Sequence, residues 1–343
     1  YGFDGYKVHS KICLITYRNR NEIQYITQVG TGNYNEKTAA MYTDLSLMTA
    51  DPRIGQDAAE FFKNMSIGNL QGSYQYLIVS PVSLKSSILQ MMDEEIQKGK
   101  DGRIVMKMNS VTDVDFIRKV SEASCAGVRV DLIVRGICCI LPGVPGFTEN
   151  VRVMSVVGRY LEHSRIYCFG EGEDMTIYIA SGDFLTRNTE CRVEVGVRVE
   201  DPVLIQKLSD ILQLQLRDNV NAREMRADGS YQKVKAALGE PLVNGQMDMY
   251  DLLRDDWLAR DAAPAAEPEQ PEPKAPERPS EPETRPEPVQ VAEQLAEPAK
   301  QPATVKAAPA PAVQSAPAPH VVDRAERHGY PSLFQRLHDW LRR

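Results

Sequence analysis

The strongest constraint on how this chain can fold is a repeat inside it. Gly30-Thr31-Gly32-Asn33 corresponds to Ala180-Ser181-Gly182-Asp183; Asp44 lies eleven residues after Asn33, and Glu194 lies eleven after Asp183. Upstream of each turn stands a histidine, one residue short of a cation that opens an apolar run: His9-Ser10-Lys11 before Ile12-Cys13-Leu14, and His163-Ser164-Arg165 before Ile166-Tyr167-Cys168. Four features therefore recur in the same order. Two similar halves of this kind are expected to bring two histidines together across a shared cleft.

Alternate side chains of a strand share a face, so each imidazole and the cation two positions on point the same way. An imidazole nitrogen beside a fixed positive charge suits phosphate chemistry. Of the five histidines, only His9 and His163 precede residue 320. The carboxylates Asp44 and Glu194 are expected to orient the imidazoles through Nδ1–H, leaving Nε2 for reaction, with Asp44 setting the tautomer of His9.

Hydrophobic patterning predicts strands over 11–17 and 23–29 as a hairpin, a strand over 43–49, and a helix from Asp51-Pro52 to about residue 64. A polar break at 68–73 marks a domain boundary. Beyond it, strands over 76–79, 103–108 and 128–134 alternate with helices over 83–98 and 111–126, as in a parallel or mixed sheet with crossover helices. A hairpin over 165–169 and 175–180, a strand over 191–199 and a helix over 202–216 complete the reading. The expected class is α/β, with mixed-sheet halves over 1–70 and 71–257.

Of 22 prolines, 16 follow residue 260, in a stretch dominated by Pro, Ala, Glu and Gln. Such a segment is too poor in large apolar groups to fold alone, so 258–330 reads as a disordered linker. After it, Leu333, Phe334, Leu337, Trp340 and Leu341 share one helical face, and 331–343 reads as a short amphipathic helix offered to a partner or a membrane surface. A net charge of −7 argues against a sequence-independent nucleic-acid binder. The six cysteines lack metal-ligand spacing and read as reduced, buried thiols of a cytosolic protein. The chain opens at Tyr1 close to its first key histidine, and is expected to be the C-terminal portion of a longer protein.

The paired motifs resemble the phospholipase D-like superfamily. More narrowly, Val8-His9-Ser10-Lys11, Gly30-Thr31-Gly32-Asn33-Tyr34-Asn35, Met41-Tyr42-Thr43-Asp44-Leu45 and Thr49-Ala50-Asp51-Pro52 look like the polyphosphate kinases that use a phosphohistidine. So do Lys107-Met108-Asn109-Ser110, Ile133-Val134-Arg135-Gly136-Ile137-Cys138, Leu141-Pro142-Gly143-Val144-Pro145-Gly146 and Arg159-Tyr160-Leu161-Glu162-His163-Ser164-Arg165. The likeness covers nearly all of 1–257.

That resemblance implies two phospholipase D-like halves, the end of the family's third domain and its whole fourth. It also implies ATP-dependent, reversible extension of polyphosphate with Mg²⁺. The chain is expected to be a cytoplasmic homo-oligomer, peripheral at the inner membrane surface. His9 matches the phosphorylated histidine. Tyr42, Arg135 and His163 match positions that contact ATP, and His163 is also the expected proton donor. Lys11, Asn33 and Arg165 are expected to bind phosphate oxygens, with Lys107, Asn109, Arg187 and Arg192 as further lining. The family's metal-associated residues are expected to precede Tyr1. Two other readings stand beside it: a phosphodiesterase or nuclease of the wider superfamily using the same histidine, and a non-catalytic polyphosphate-binding module. Arg165, in place of the superfamily's usual lysine, and the Arg135-Gly136 loop favour the kinase.

Overall fold

Each half contains an antiparallel hairpin. In the first, Ile12–Asn19 pairs with Glu22–Gly30; in the second, Arg165–Phe169 pairs with Thr176–Ala180. A short helix follows in both, Glu36–Ala39 and Thr186–Glu190, then a two-residue strand, a longer strand, and a helix of 15 residues. Those last helices, Pro52–Ser66 and Pro202–Leu216, start the same way. Asp51 accepts from the Arg53 amide, Asp201 accepts from the Val203 and Leu204 amides, and a proline fills the first turn where no amide donor is needed. The computed structural model describes residues 3–19 and 22–261, so all but the first residues of the expected linker over 258–330, and the expected helix over 331–343, lie outside the described residues.

The second half is built on a nine-stranded mixed sheet. From edge to edge its strands are Tyr231–Lys233, Ala222–Met225, Val151–Val156, Arg129–Val134, Arg103–Met108, Arg165–Phe169, Thr176–Ala180, Val195–Val199 and Leu77–Val79. Arg103–Met108, Arg129–Val134 and Val151–Val156 run parallel; the other pairs are antiparallel. Period-2 alternation sends the side chains to two cores. Ile104, Met106, Met108, Tyr167 and Phe169 pack under helices Leu84–Lys98 and Val114–Cys125. Val105, Ile166, Cys168, Ile177 and Ile179 meet helix Pro202–Leu216, Ile12 and Val29 of the first half's three-stranded sheet, and Ile54 and Phe61 of helix Pro52–Ser66.

The mixed α/β class and most elements agree with the sequence reading. Strands Val151–Val156, Ala222–Met225 and Tyr231–Lys233 were not anticipated, and helix Gly245–Asp261 runs past residue 257, where the linker was expected to begin. The cysteines need correcting: all six are free, but only Cys168 is buried. Cys13 sits on an alternating strand whose inward neighbour is Ile12, so it faces outward. Among the described residues, no helix is long and apolar enough to cross a membrane.

A more consequential difference concerns the strands over 43–49 and 191–199. Each is cut at its carboxylate, into Tyr42–Thr43 and Ser46–Thr49, and into Arg192–Val193 and Val195–Val199. The later pieces pair within their own half. The earlier pieces cross over: Lys7–Val8 runs parallel to Arg192–Val193, and Leu161–Glu162 runs parallel to Tyr42–Thr43. The chain changes partners at Asp44 and at Glu194.

Candidate active site

That crossing decides which carboxylate meets which histidine. The register Val8↔Val193 places His9 beside Glu194, and Glu162↔Thr43 places His163 beside Asp44. The amides of His9 and His163 donate to the Val193 and Thr43 carbonyls at 2.9 and 3.3 Å. His9 Nδ1 then lies 2.9 Å from both Glu194 carboxylate oxygens, and His163 Nδ1 lies 2.8 and 3.0 Å from those of Asp44. The expectation that Asp44 sets the tautomer of His9 is therefore corrected. Each half supplies the carboxylate for the other half's histidine.

Hydroxyls hold the carboxylates in turn, and again in pairs. Thr31 Oγ1 donates to Asp44 at 2.7 Å, and Ser181 Oγ donates to Glu194 at 2.6 Å. Those hydroxyl oxygens accept from the amides of Leu45 and Val195, the residues that follow the two carboxylates. The glycine after each hydroxyl residue has a steric reason: a Cβ on Gly32 would overlap the Asp44 carboxylate, and one on Gly182 would press on Glu194 Cγ at 3.0 Å. Thr31 and Ser181 were legible as repeat positions, but their role needed the fold.

The two cations behave differently. Lys11 is 3% exposed and its ammonium donates to the His9 carbonyl. Burial pushes its pKa down to about 8, against the pull of Glu194 and Asp44 and with the push of Arg165 and Arg192. Among the described residues no carboxylate reaches it within ion-pair distance. Arg165 is also buried, but its Nε and Nη2 both donate to Asp183, at 3.1 Å each. Its Nη1 donates to the His163 and Thr31 carbonyls and lies 3.1 Å from His163 Nε2. The bidentate anion partner expected for Arg165 is thus a side chain of this protein. Burial, and then Arg165, lower the His163 pKa more than Asp44 raises it, so the ring is predominantly neutral at neutral pH.

Tyr42 and Arg135 stand next to His163. The Tyr42 ring centroid is 4.9 Å from that of His163, tilted by 47°. Both residues line an open cleft of about 670 Å³ with Gly158, Arg159, Tyr160 and Glu162. Arg135 is steered there by Asn109 Oδ1, at 2.8 and 3.0 Å, and by the Glu162 carbonyl at 2.9 Å.

Other expected lining residues separate. Asn33 and Arg187 are exposed, and Arg192 lies 3.7 Å from Glu194. Lys107 is not a cleft cation: it is buried and bonded to Glu162 and Ser164. Asn109 is a buried support for Arg135 and Asp183.

The residues present do not form a seat for Mg²⁺. Asp44 and Glu194 are turned onto histidines and hydroxyls, and Asp183 onto Arg165. Among the described residues no group of three or more His, Cys, Asp or Glu could hold a metal ion. A hard cation needs several free oxygen ligands, which this donor set does not offer.

Comparison with known proteins identifies the family of the chain. Two family models match in succession: polyphosphate kinase C-terminal domain 1 over residues 1–71, and C-terminal domain 2 over residues 77–246. The chain is 44% identical over 264 residues to a polyphosphate kinase of Staphylococcus saprophyticus, covering 75% of this chain and 37% of that protein. It is 45% identical over 255 residues to one of Bacillus anthracis, covering 74% and 36%. The crystal structure of polyphosphate kinase from Porphyromonas gingivalis superposes with a TM-score of 0.70 at 36% identity, over 76% of this chain and 40% of that one. The chain thus spans little more than a third of the length of the curated relatives it matches. It belongs to the polyphosphate kinase family and corresponds to that family's two C-terminal domains.

Proposed function

We propose that these residues form the phosphotransfer centre of an ATP:polyphosphate phosphotransferase, with His9 as the nucleophile. The observation that carries this reading is the crossed pairing: Glu194, fully buried, takes His9 Nδ1 and leaves Nε2 for chemistry beside a buried Lys11 that has no carboxylate of its own. The Nε2 lone pair attacks the γ-phosphorus in line; the N–P bond forms as the bond to the ADP oxygen breaks. A terminal polyphosphate oxygen then attacks the phosphohistidine, and the N–P bond breaks in turn. One transfer is split into two easier ones.

His163 gives the leaving ADP oxygen its proton. Neutral in the unliganded site, it takes up that proton from solvent at Nε2 as phosphate charge arrives nearby, because an anion favours imidazolium. Tyr42 and Arg135 hold the nucleotide in the cleft, and Lys11 meets the transferred group. Asn33, exposed on its loop, and Arg165, turned toward its own Asp183, have less direct roles. Mg²⁺ neutralises phosphate charge in this reaction class, and no residue here is assigned to it. A cytoplasmic homo-oligomer is part of the same reading, and the amphipathic pattern of 331–343 further suits docking to a partner or to the inner membrane surface.

The deciding experiment is transfer of label from [γ-³²P]ATP, on this chain and on a chimera in which residues 1–246 replace the matching part of the S. saprophyticus enzyme. Acid-labile, base-stable label is expected in the chimera and should vanish in His9→Ala. Label that survives His9→Ala, or a folded chimera that takes up none, would overturn the assignment.

Lys11 adds a pH dependence. Its ammonium is charged below about 8 and neutral above. Tripolyphosphate affinity measured by calorimetry should therefore fall by up to about tenfold per pH unit above that point, and Lys11→Met should remove this slope. The effect on folding has the opposite sign. Between about 8 and the ordinary 10.5 the unfolded chain holds more protons, so this group's contribution to stability rises with pH.

A further inference from the structure

The two halves differ sharply at one matched pair of positions. Where the first carries Lys11 and Asn33, the second carries Arg165 and Asp183. Asn33 is exposed, whereas Asp183 is 5% exposed and accepts from four donors. Its Oδ1 takes Arg165 Nε, the Asn109 amide at 2.7 Å and Asn109 Nδ2 at 3.2 Å; its Oδ2 takes Arg165 Nη2. Asn109 in turn points its Oδ1 at Arg135. An unbroken chain of hydrogen bonds therefore runs from His163 through Arg165, Asp183 and Asn109 to Arg135.

We propose that Asp183 is a positioning residue that makes the two halves unequal, cancelling the charge of Arg165 so that net positive charge stays on the Lys11 side, and tying His163 to the cleft arginine Arg135 through Asn109. The meaning of this inference rests on the phosphotransfer reading; its test does not.

The argument is electrostatic. A buried arginine with both forks on one carboxylate is a locally neutral unit and exports little field, while a buried lysine bonded to a carbonyl, with Glu194 and Asp44 acting on it only from beyond ion-pair distance, keeps more of its field. A dianionic phosphoryl group entering between the halves is drawn to the Lys11 side, which is the His9 side. The same cancellation protects His163. It faces Arg165 at 3.1 Å, the Asp44 carboxylate at 2.8 Å, the Tyr42 ring, and Asp183 beyond the guanidinium. Without Asp183, the bare guanidinium would push the imidazole further from its protonated form. The replacement of Lys by Arg and of Asn by Asp thus reads as one compensated change. It distinguishes a phosphate-receiving half from a proton-handling half.

The test is a ¹⁵N-histidine NMR titration of this chain, with the His163 signal identified from its loss in His163→Ala. Asp183→Asn should lower the His163 midpoint by about one pH unit, the scale expected when a neighbouring charge loses its counterion. Arg165→Gln/Asp183→Asn, which removes both charges and keeps the hydrogen-bonding shape, should bring the midpoint above the wild-type value. A midpoint that stays fixed in the folded variants would overturn the inference. If Asp183→Asn does not fold, the double variant decides alone: a midpoint at or below wild type overturns the proposal. ATP binding followed separately in Asn109→Ala should weaken as Arg135 loses its support, and unchanged affinity would refute the link to the cleft. Failure of every form to bind ATP would count against the phosphotransfer reading and leave the NMR result standing.

Discussion

Glu194→Ala should slow phosphorylation of His9 by about 10³–10⁴-fold, the loss seen when a catalytic imidazole is left in the wrong tautomer. The reason is geometric. Glu194 reaches His9 from 185 positions away in sequence, through a bond to Nδ1 that holds the proton there. Without it, the ring is free to carry its proton on Nε2, where the lone pair is needed. A histidine NMR spectrum separates this from a general loss of function. His9 should lose its Nδ1–H tautomer in Glu194→Ala and keep it in Asp44→Ala, which should disturb His163 instead. If the tautomer of His9 answered to Asp44, the crossed arrangement would be wrong and pairing within each half would replace it. Ser181→Ala should give a weaker version of the Glu194 effect, since its hydroxyl only fixes the carboxylate.

Glu162→Gln should lower stability by about 3–5 kcal/mol, a fall in melting temperature of roughly 6–20 °C. Glu162 and Lys107 are 3% and 2% exposed and lie 2.9 Å apart, where the low dielectric makes an unpaired charge costly. Glu162 also accepts from Thr43, Gln215 and Gln246. Burial alone would raise its pKa, but Lys107 and the two amides outweigh that and hold the carboxyl below its ordinary value. Its contribution is accordingly present above the ordinary carboxyl range and lost as pH falls through the depressed folded value. Replacing both members, as Glu162→Gln/Lys107→Met, should recover most of the loss, because no uncompensated charge remains. A double variant as unstable as the single one would mean that shape, not charge, is what Glu162 supplies. Since Glu162 directly precedes His163 and bonds Thr43 beside Asp44, the single variant should also loosen the second histidine.

Much of this was legible in the chain. The hairpins, the Asp-Pro helix starts, the β-α-β alternation and the two histidines with their cations and carboxylates all follow from local pattern. Side-chain periodicity, capping chemistry and turn composition are properties of neighbouring residues. Lys107 shows where that reading fails. On an apolar strand it looks like Lys11, and nothing within a few residues tells an ammonium held by a distant carboxylate from one held by a carbonyl. Asp183 stands out only as a repeat position, since its partners Arg165 and Asn109 meet it through the fold.

What the sequence determined by itself was the inventory and its order: two half-sites, each with a histidine, a cation, a hydroxyl-glycine turn and a carboxylate at the same spacing. What only the tertiary structure decided was the pairing. A repeat of equal spacing is compatible with each carboxylate serving its own histidine or the other one, because local geometry is the same either way. The choice is made by two parallel ladders, Lys7–Val8 on Arg192–Val193 and Leu161–Glu162 on Tyr42–Thr43, whose register joins segments more than a hundred residues apart. Such long-range pairing is set by how the two halves pack, and no local signal in either strand encodes it.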